Sequence, residues 1–244
     1  TNDDLEESTQ EKSCVCLYDV EYKQSYDLDV NFFLIKDLDG ISQINFNNCL
    51  YLCGSPKSST ISGSYLLKYD PKKLTNPTQV LINSIHSHYL PTIISIKNEH
   101  LMVIGGEENL KCEWYNIQYN KWKNLADLPE ERFKCNAIYD DDSDSIYLFG
   151  GFDSFDKINK STILRLSLIS PGNWEYLLVQ TSSQIFLARN SFSLIRPNRN
   201  SILLIGGIGI NNEKLDSIVE YNVNENSANF SKKKLIMPSS FIQS

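Results

Sequence analysis

A short apolar run that ends in paired glycines recurs along this chain. Residues 101–106 read LMVIGG, 146–151 read IYLFGG and 202–207 read ILLIGG, with a degenerate copy, LYLCGS, at 50–55. The last residues of the four copies are Ser55, Gly106, Gly151 and Gly207. A period of roughly 50 residues marks a chain built from stacked supersecondary units, each of which buries its apolar faces against its neighbours. The feature fixes how the chain stands up and which loops share an end; it does not name a partner.

Composition narrows the classes. The chain has 244 residues, 41% hydrophobic and 22% charged, as expected of a folded globular protein of one large or two small domains. A net charge of −7 argues against nucleic acid and anionic membrane as partners. No apolar run approaches the ~20 residues that span a bilayer, and no basic-then-apolar leader opens the chain. The chain begins at Thr1, which suits a processed form or a fragment. Residues 1–13 are polar and acidic and are expected to form a disordered tail. Of six cysteines, Cys14, Cys16, Cys49, Cys53, Cys112 and Cys135, none falls in paired CxxC spacing, and several sit in apolar runs. Reduced, inert thiols and a cytoplasmic location are expected. The two N-x-S/T sequons at Asn159 and Asn229 are no more than chance supplies.

From Cys14 onward, short runs rich in Val, Ile, Leu, Tyr and Phe alternate with Asn, Asp, Gly, Ser and Pro clusters, and no helical period holds over ten residues. The chain reads as all-β. Alignment on the glycine pairs gives four strands per repeat. They are 41–46, 50–55, 65–69 and 79–82 in the first repeat, and 92–96, 101–106, 111–117 and 121–125 in the second. The third has 134–139, 146–151, 162–168 and 173–179, and the fourth has 191–195, 202–207, 217–223 and 229–235. Segments 97–100, 140–144 and 197–200 read as hairpin turns. The nearly all-apolar second strand is expected to be buried on both faces, and its terminal glycines, Gly54, Gly105, Gly106, Gly150, Gly151, Gly206 and Gly207, let the chain leave a crowded centre. Tyr69, Tyr115 and Tyr221 end third strands, and Trp122 and Trp174 lie in fourth strands. These aromatics suit a wedge between sheets that keeps a polar partner for the OH or NH.

A glycine pair, a variable loop, then Tyr and a Trp seven residues later resembles the kelch repeat. The second copy carries it best, with Gly105, Gly106, Tyr115 and Trp122. The third has Gly150, Gly151 and Trp174 with Leu166 or Leu168 in place of Tyr, and the fourth has Gly206, Gly207 and Tyr221 with Phe230 near the Trp position. The first has Gly54, Ser55 and Tyr69 but no Trp. The resemblance covers roughly 37–235 and implies a kelch-type β-propeller. Its blades would be 37–85, 86–129, 130–182 and 183–238, after an N-terminal half-blade at 14–36 in which Tyr18 takes the Tyr position and Tyr26 falls near the Trp position. The glycine strand would be the inner strand of each blade. Two closures stay open: a fragment of a longer propeller whose closing strands lie beyond Ser244, or a five-bladed disc. The family also places Arg ahead of the first strand. Arg132 and Arg189 match, His88 takes the place in the second repeat, and Asp37 is degenerate in the first.

Candidate chemistry is sparse. His86 and His88 alternate as a metal-ligand pair would, but no third ligand is evident, and the copper site of galactose oxidase-type propellers has no recognisable motif here. There is no G-x-S-x-G elbow, and Gly206, Gly207 and Gly209 lack the end of a phosphate loop. Asp140, Asp141, Asp142 and Asp144 lack the ligand spacing of a calcium loop and read as a solvated turn. No catalytic residue, cofactor or metal is expected. The loops that leave the glycine pairs and those that lead into first strands share one end of the molecule. That face would present Arg132, Arg189, His86, His88, Phe152, Asp153, Phe155, Asn211 and Asn212, along with Glu107, Glu108, Asn109, Asp156 and Glu213, to a protein partner. The resemblance implies a recognition or scaffold module of the cytoskeletal, ubiquitin-ligase adaptor or complex-assembly kind. A sugar- or metal-dependent enzyme using a central pocket is the alternative. The sequence does not set the oligomeric state.

Overall fold

The structure is a computed structural model that describes residues 15–19, 24–28, 40–57, 62–73, 75–170, 172–182 and 187–237, the first two segments as backbone only. The expected acidic tail at 1–13 lies outside the described residues, as do Asp37 and the cysteine at 14. Strands β1 (Val15–Asp19) and β2 (Gln24–Leu28) form an antiparallel hairpin. The first sheet is β3 (Ile41–Phe46), β4 (Cys49–Gly54), β5 (Tyr65–Tyr69) and β6 (Thr78–Val80). The second is β7 (Thr92–Ile96), β8 (His100–Ile104), β9 (Cys112–Asn116) and β10 (Lys121–Asn124).

The third sheet begins with β11 (Asn136–Asp140) and β12 (Ser145–Phe149). The small separate hairpin of β13 (Phe152–Asp153) and β14 (Ile158–Asn159) then leaves it, and the sheet resumes with β15 (Ile163–Ser167) and β16 (Glu175–Leu177). Next come β17 (Gln180–Thr181), β18 (Ser193–Asn198), β19 (Ser201–Ile205), β20 (Ser217–Asn222) and β21 (Ser227–Lys234). Strands β18 to β21 are the fourth antiparallel meander, and β17 pairs in parallel along the outer edge of β21. No helix of the described residues is long and apolar enough to cross a membrane.

Local chemistry explains the turns. Asn47 and Asn48 (φ 50 and 59) join β3 to β4, and Lys97 and Asn98 (φ 48 and 52) join β7 to β8. Two successive left-handed residues are the I′ geometry that matches strand twist. The sheets stand side by side, with β3 against β7, β7 against β11, and β11 against β18. The first strand of each sheet is therefore the innermost. The glycine strand, expected to be innermost, is second from the axis, because the strand that precedes it turns back along the inside.

That position puts a neighbouring sheet on either side of β8 and β12. Leu101 and Val103 of β8 enter the apolar layer shared with the first sheet, and Met102 and Ile104 enter the layer shared with the third. Ile146 and Leu148 of β12 face the second sheet, while Tyr147 and Phe149 face the fourth. A strand's period of two, applied between two neighbours, yields an unbroken apolar run.

Aromatic donors tie the outer strands together. Tyr115 and Tyr221 are buried, and each hydroxyl donates to an asparagine five residues on, Asn120 at 2.7 Å and Asn226 at 2.9 Å. Trp122 Nε1 donates to the Ile82 carbonyl at 2.8 Å, and Trp174 Nε1 to that of Ala126 at 3.1 Å. Each indole so reaches the segment between its own sheet and the one before. Tyr69 is half-buried at the end of β5. Cys49, Cys53, Cys112 and Cys135 are buried, and burial pushes the Cys112 thiol up to about 12.

Candidate functional site

At the glycine-pair end, three buried side chains repeat the same contact. Arg132 Nη1 donates to the Gly150 carbonyl at 3.2 Å and to that of Thr162 at 2.7 Å. Arg189 Nη1 donates to the Gly206 carbonyl at 2.8 Å and, more weakly, to that of Ser217 at 3.4 Å. In the second sheet the ring of His88 takes the place of the guanidinium, with Nδ1 2.7 Å from the Gly105 oxygen. The separations are 18, 17 and 17 residues, so the first glycine of each pair is held by a post on the loop ahead of the innermost strand. Two residues beyond each post, Leu90, Lys134 and Ser191 take positive φ (54, 53 and 50) as the chain turns into that strand.

These three residues, expected to face a partner, are 0% exposed for Arg132 and His88 and 1% for Arg189. They are internal posts. The glycines whose carbonyls they satisfy, Gly105, Gly150 and Gly206, are themselves buried, and a buried carbonyl needs a donor. Burial pulls the Arg189 guanidinium down to about 10.

His88 also meets a carboxylate, as Arg132 does with Glu130. Its Nε2 lies 3.0 Å from Glu113 Oε1, and Glu113 is itself 0% exposed. Glu113 further accepts the backbone N–H groups of Ile85 and His86, each at 2.8 Å. Burial works most strongly against the Glu113 charge, yet the hydrogen bonds from His88, Ile85 and His86 together hold its carboxyl below the ordinary value. His88 is thus committed to Gly105 and Glu113, and the alternating histidines do not converge as ligands. His86 is half-buried beside a cleft of about 390 Å³ whose lining includes Ser55, Lys57, Ser87, Glu107 and Asn109. Among the described residues, no group of three or more His, Cys, Asp or Glu could hold a metal ion.

A second buried network lies under the third glycine pair. Lys160 Nζ bridges Glu130 at 3.0 Å and Asp153 at 2.8 Å, and Arg132 Nη2 meets the other oxygen of Glu130 at 2.5 Å and also donates to Thr162 Oγ1. Burial opposes the Lys160 charge, and the bonds to Asp153 and Glu130 more than offset it. Asp153, expected on the partner face, is buried. It caps the hairpin by accepting the N–H groups of Phe155 and Asp156 at 3.0 Å each. Phe152 is half-buried, edge-on to Phe133 at 5.6 Å and 89°. Asn159, a sequon residue, is engaged on both amide atoms: Nδ2 donates to the Ile208 and Gly209 carbonyls, and Oδ1 accepts from Asn190.

What remains outward on this face is a set of loop tips. Phe155 is 90% exposed, and Ile158, Ile210 and Leu110 are exposed on the same or adjoining loops. Asn211 and Asn212 are exposed, with Asn212 N–H donating to the Gly209 carbonyl. The tips form one connected surface. Lys57 pairs with Glu107 at 2.9 Å, the Glu108 N–H and the Ser154 hydroxyl both donate to Glu131, and Asn159 reaches the loop after Gly207.

The opposite end carries a second cleft, of about 640 Å³, with Ile44, Ile94 and Ala137 among its apolar lining and Lys97 and Asp141 among its polar lining. The aspartate turn there is not merely solvated. Asp140 is buried and pairs with Arg196 of the fourth sheet at 2.5 Å, while Asp144 pairs with Lys97 of the second at 2.8 Å.

An all-β chain of adjoining antiparallel meanders whose inner strands lie together has the architecture of a β-propeller. A solved structure titled "Structure of YjhT", a β-propeller, is similar to this chain. The TM-score is 0.60 and the identity 14%, over 83% of this chain and 67% of that one. No family profile and no curated protein sequence matches the chain.

Proposed function

We propose that the chain is a kelch-type propeller module that recognises a protein partner through the glycine-pair face and acts as a recognition or scaffold element in the cytoplasm. The carrying observation is the division of labour on that face. Charged residues that could have served catalysis are buried and bonded: Arg132 and Arg189 to backbone, His88 to Glu113, and Lys160 to Glu130 and Asp153. The outward positions hold apolar and amide side chains among solvated charges such as Glu108, Asp156 and Lys157, on loops joined by hydrogen bonds. Exposed apolar tips on a braced frame suit an interface, where a few buried anchors supply most of the binding energy. The kelch assignment rests on the glycine pairs and on the phased Tyr and Trp residues. Four blades with the β1–β2 hairpin as part of another is the count they support.

The test is affinity purification of the full chain with mass spectrometry, comparing two altered faces. A Leu110→Ser, Phe155→Ala, Ile210→Ser variant is expected to lose the partners of the wild type, while Asn98→Lys, Asp141→Lys at the opposite end keeps them. Retention of every partner by the first variant would overturn the reading.

A further inference from the structure

Of the loops that leave the glycine pairs, the third alone forms a two-stranded sheet of its own among the described residues. Its frame is closely braced. The buried Asp153 carboxylate holds the N–H groups of Phe155 and Asp156 and the ammonium of Lys160. The Ser154 hydroxyl lies 2.7 and 2.9 Å from the two Glu131 oxygens. The foot is fixed to the loop after Gly207 through Asn159. This frame carries at its tip a phenyl ring, Phe155, that is 90% exposed and adds nothing to the core. A fixed tip loses little conformational freedom on docking, and an aromatic ring is a favoured anchor. Ile158 and Ile210, each 50% exposed, widen the apolar tip.

The surrounding charge selects the occupant. Glu108, Glu131, Asp156 and Glu213 form no salt bridge among the described residues; Lys57 is taken up by Glu107, and these four acids outnumber the remaining cations of the loops, Lys134 over the Phe133 ring, Lys157 in the turn and Lys214. The whole chain carries −7. A basic surface is attracted to this end, and a second copy of the chain is repelled.

We propose that Phe155 is the anchor by which this face docks a separate protein, one whose surface offers an apolar pocket for a phenyl ring and a basic rim that meets Glu108, Glu131 and Asp156. The proposal rests on the reading of the glycine-pair face as the interface.

Its test places the photo-crosslinking residue p-benzoylphenylalanine at position 155 of the full chain, and at position 98 as a control, in the source cells. Proteins captured from 155 and not from 98 are purified and titrated against the wild type, Phe155→Ala, Phe155→Leu and Leu110→Ser. Because Phe155 is exposed, Phe155→Ala is expected to melt with the wild type. The expected result is a loss of affinity of about 30-fold for Phe155→Ala, a smaller loss for Phe155→Leu, and weaker binding as salt rises. Capture of the chain itself, capture no greater than at 98, or binding by Phe155→Ala within about twofold of wild type would each overturn the proposal. If Leu110→Ser loses binding while Phe155→Ala keeps it, the anchor fails and the interface reading stands. If neither loses it, both fail.

Discussion

The post ahead of each innermost strand shows how one side chain's meaning depends on what covers it. Arg132 and Arg189 are legible in the sequence by their spacing from the glycine pairs, yet spacing alone does not tell a rim guanidinium from a buried one. His88 falls in the same register but lacks the five-donor fork, and the buried Glu113 completes its bonding. Nothing in the sequence marks Glu113, which reads as one polar residue in a strand. Its role appears only where β9 lies beside the segment 84–88. Removing His88 leaves a buried carboxylate without its side-chain partner, so His88→Ala is expected to cost about 3–5 kcal/mol in urea denaturation at neutral pH. Glu113, held below its ordinary value, contributes stability that is present above the unfolded carboxyl range and lost as pH falls through the folded value. The melting-temperature gap between wild type and Glu113→Gln should therefore be full at pH 7 and shrink below about pH 4. A gap that does not change with pH would refute the ionised carboxylate.

Among elements, the glycine strand was the most legible, because burial on both faces leaves an apolar run that no solvated strand carries. Leu101, Met102, Val103 and Ile104 are all 0% exposed, and each such side chain contributes about 1.5–3 kcal/mol on leaving water. Beyond β12, Gly150 takes φ +53, and a Cβ there would sit 2.3 Å from the Arg189 carbonyl oxygen and 2.7 Å from the Phe192 ring. Gly150→Ala is therefore expected to cost more than about 3 kcal/mol. Gly172, with ordinary φ and its nearest contact among the described residues at 3.8 Å, should accept Ala within about 0.5 kcal/mol. Chemical denaturation of the two variants side by side checks the contrast, and equal losses would refute it. The hairpin β13–β14 and the clip strand β17 escaped the sequence. Two-residue strands carry no period, and their pairing is set by Phe133 against Phe152 in one case and by the edge of β21 in the other.

Across the whole molecule, the sheets are joined in series by apolar layers and, at the end opposite the glycine pairs, by ion pairs between first hairpin turns. The aspartate run reads in sequence as a solvated turn because its partners, Lys97 and Arg196, lie about 50 residues away on either side, roughly one repeat. The two pairs should differ in worth. Lys97 is 52% exposed, so Lys97→Ala is expected to change stability by no more than about 0.5 kcal/mol. Asp140 is buried and also takes the Ser143 hydroxyl, so Asp140→Ala is expected to cost about 2–3 kcal/mol. Thermal melts of the two variants decide this, and a larger loss for Lys97→Ala would overturn the ranking.

By itself, the sequence determined the repeat, the all-β class, the strand segments of each repeat and the end at which the glycine loops gather. All of these follow from local periods of two residues and of roughly 50. Only the tertiary structure decided which strand lies innermost, which charged groups are interior posts and which side chain, Phe155, is left in water. Burial is a property of what neighbouring sheets and loops cover. Those neighbours come from residues a full repeat apart, whose contact no local pattern encodes.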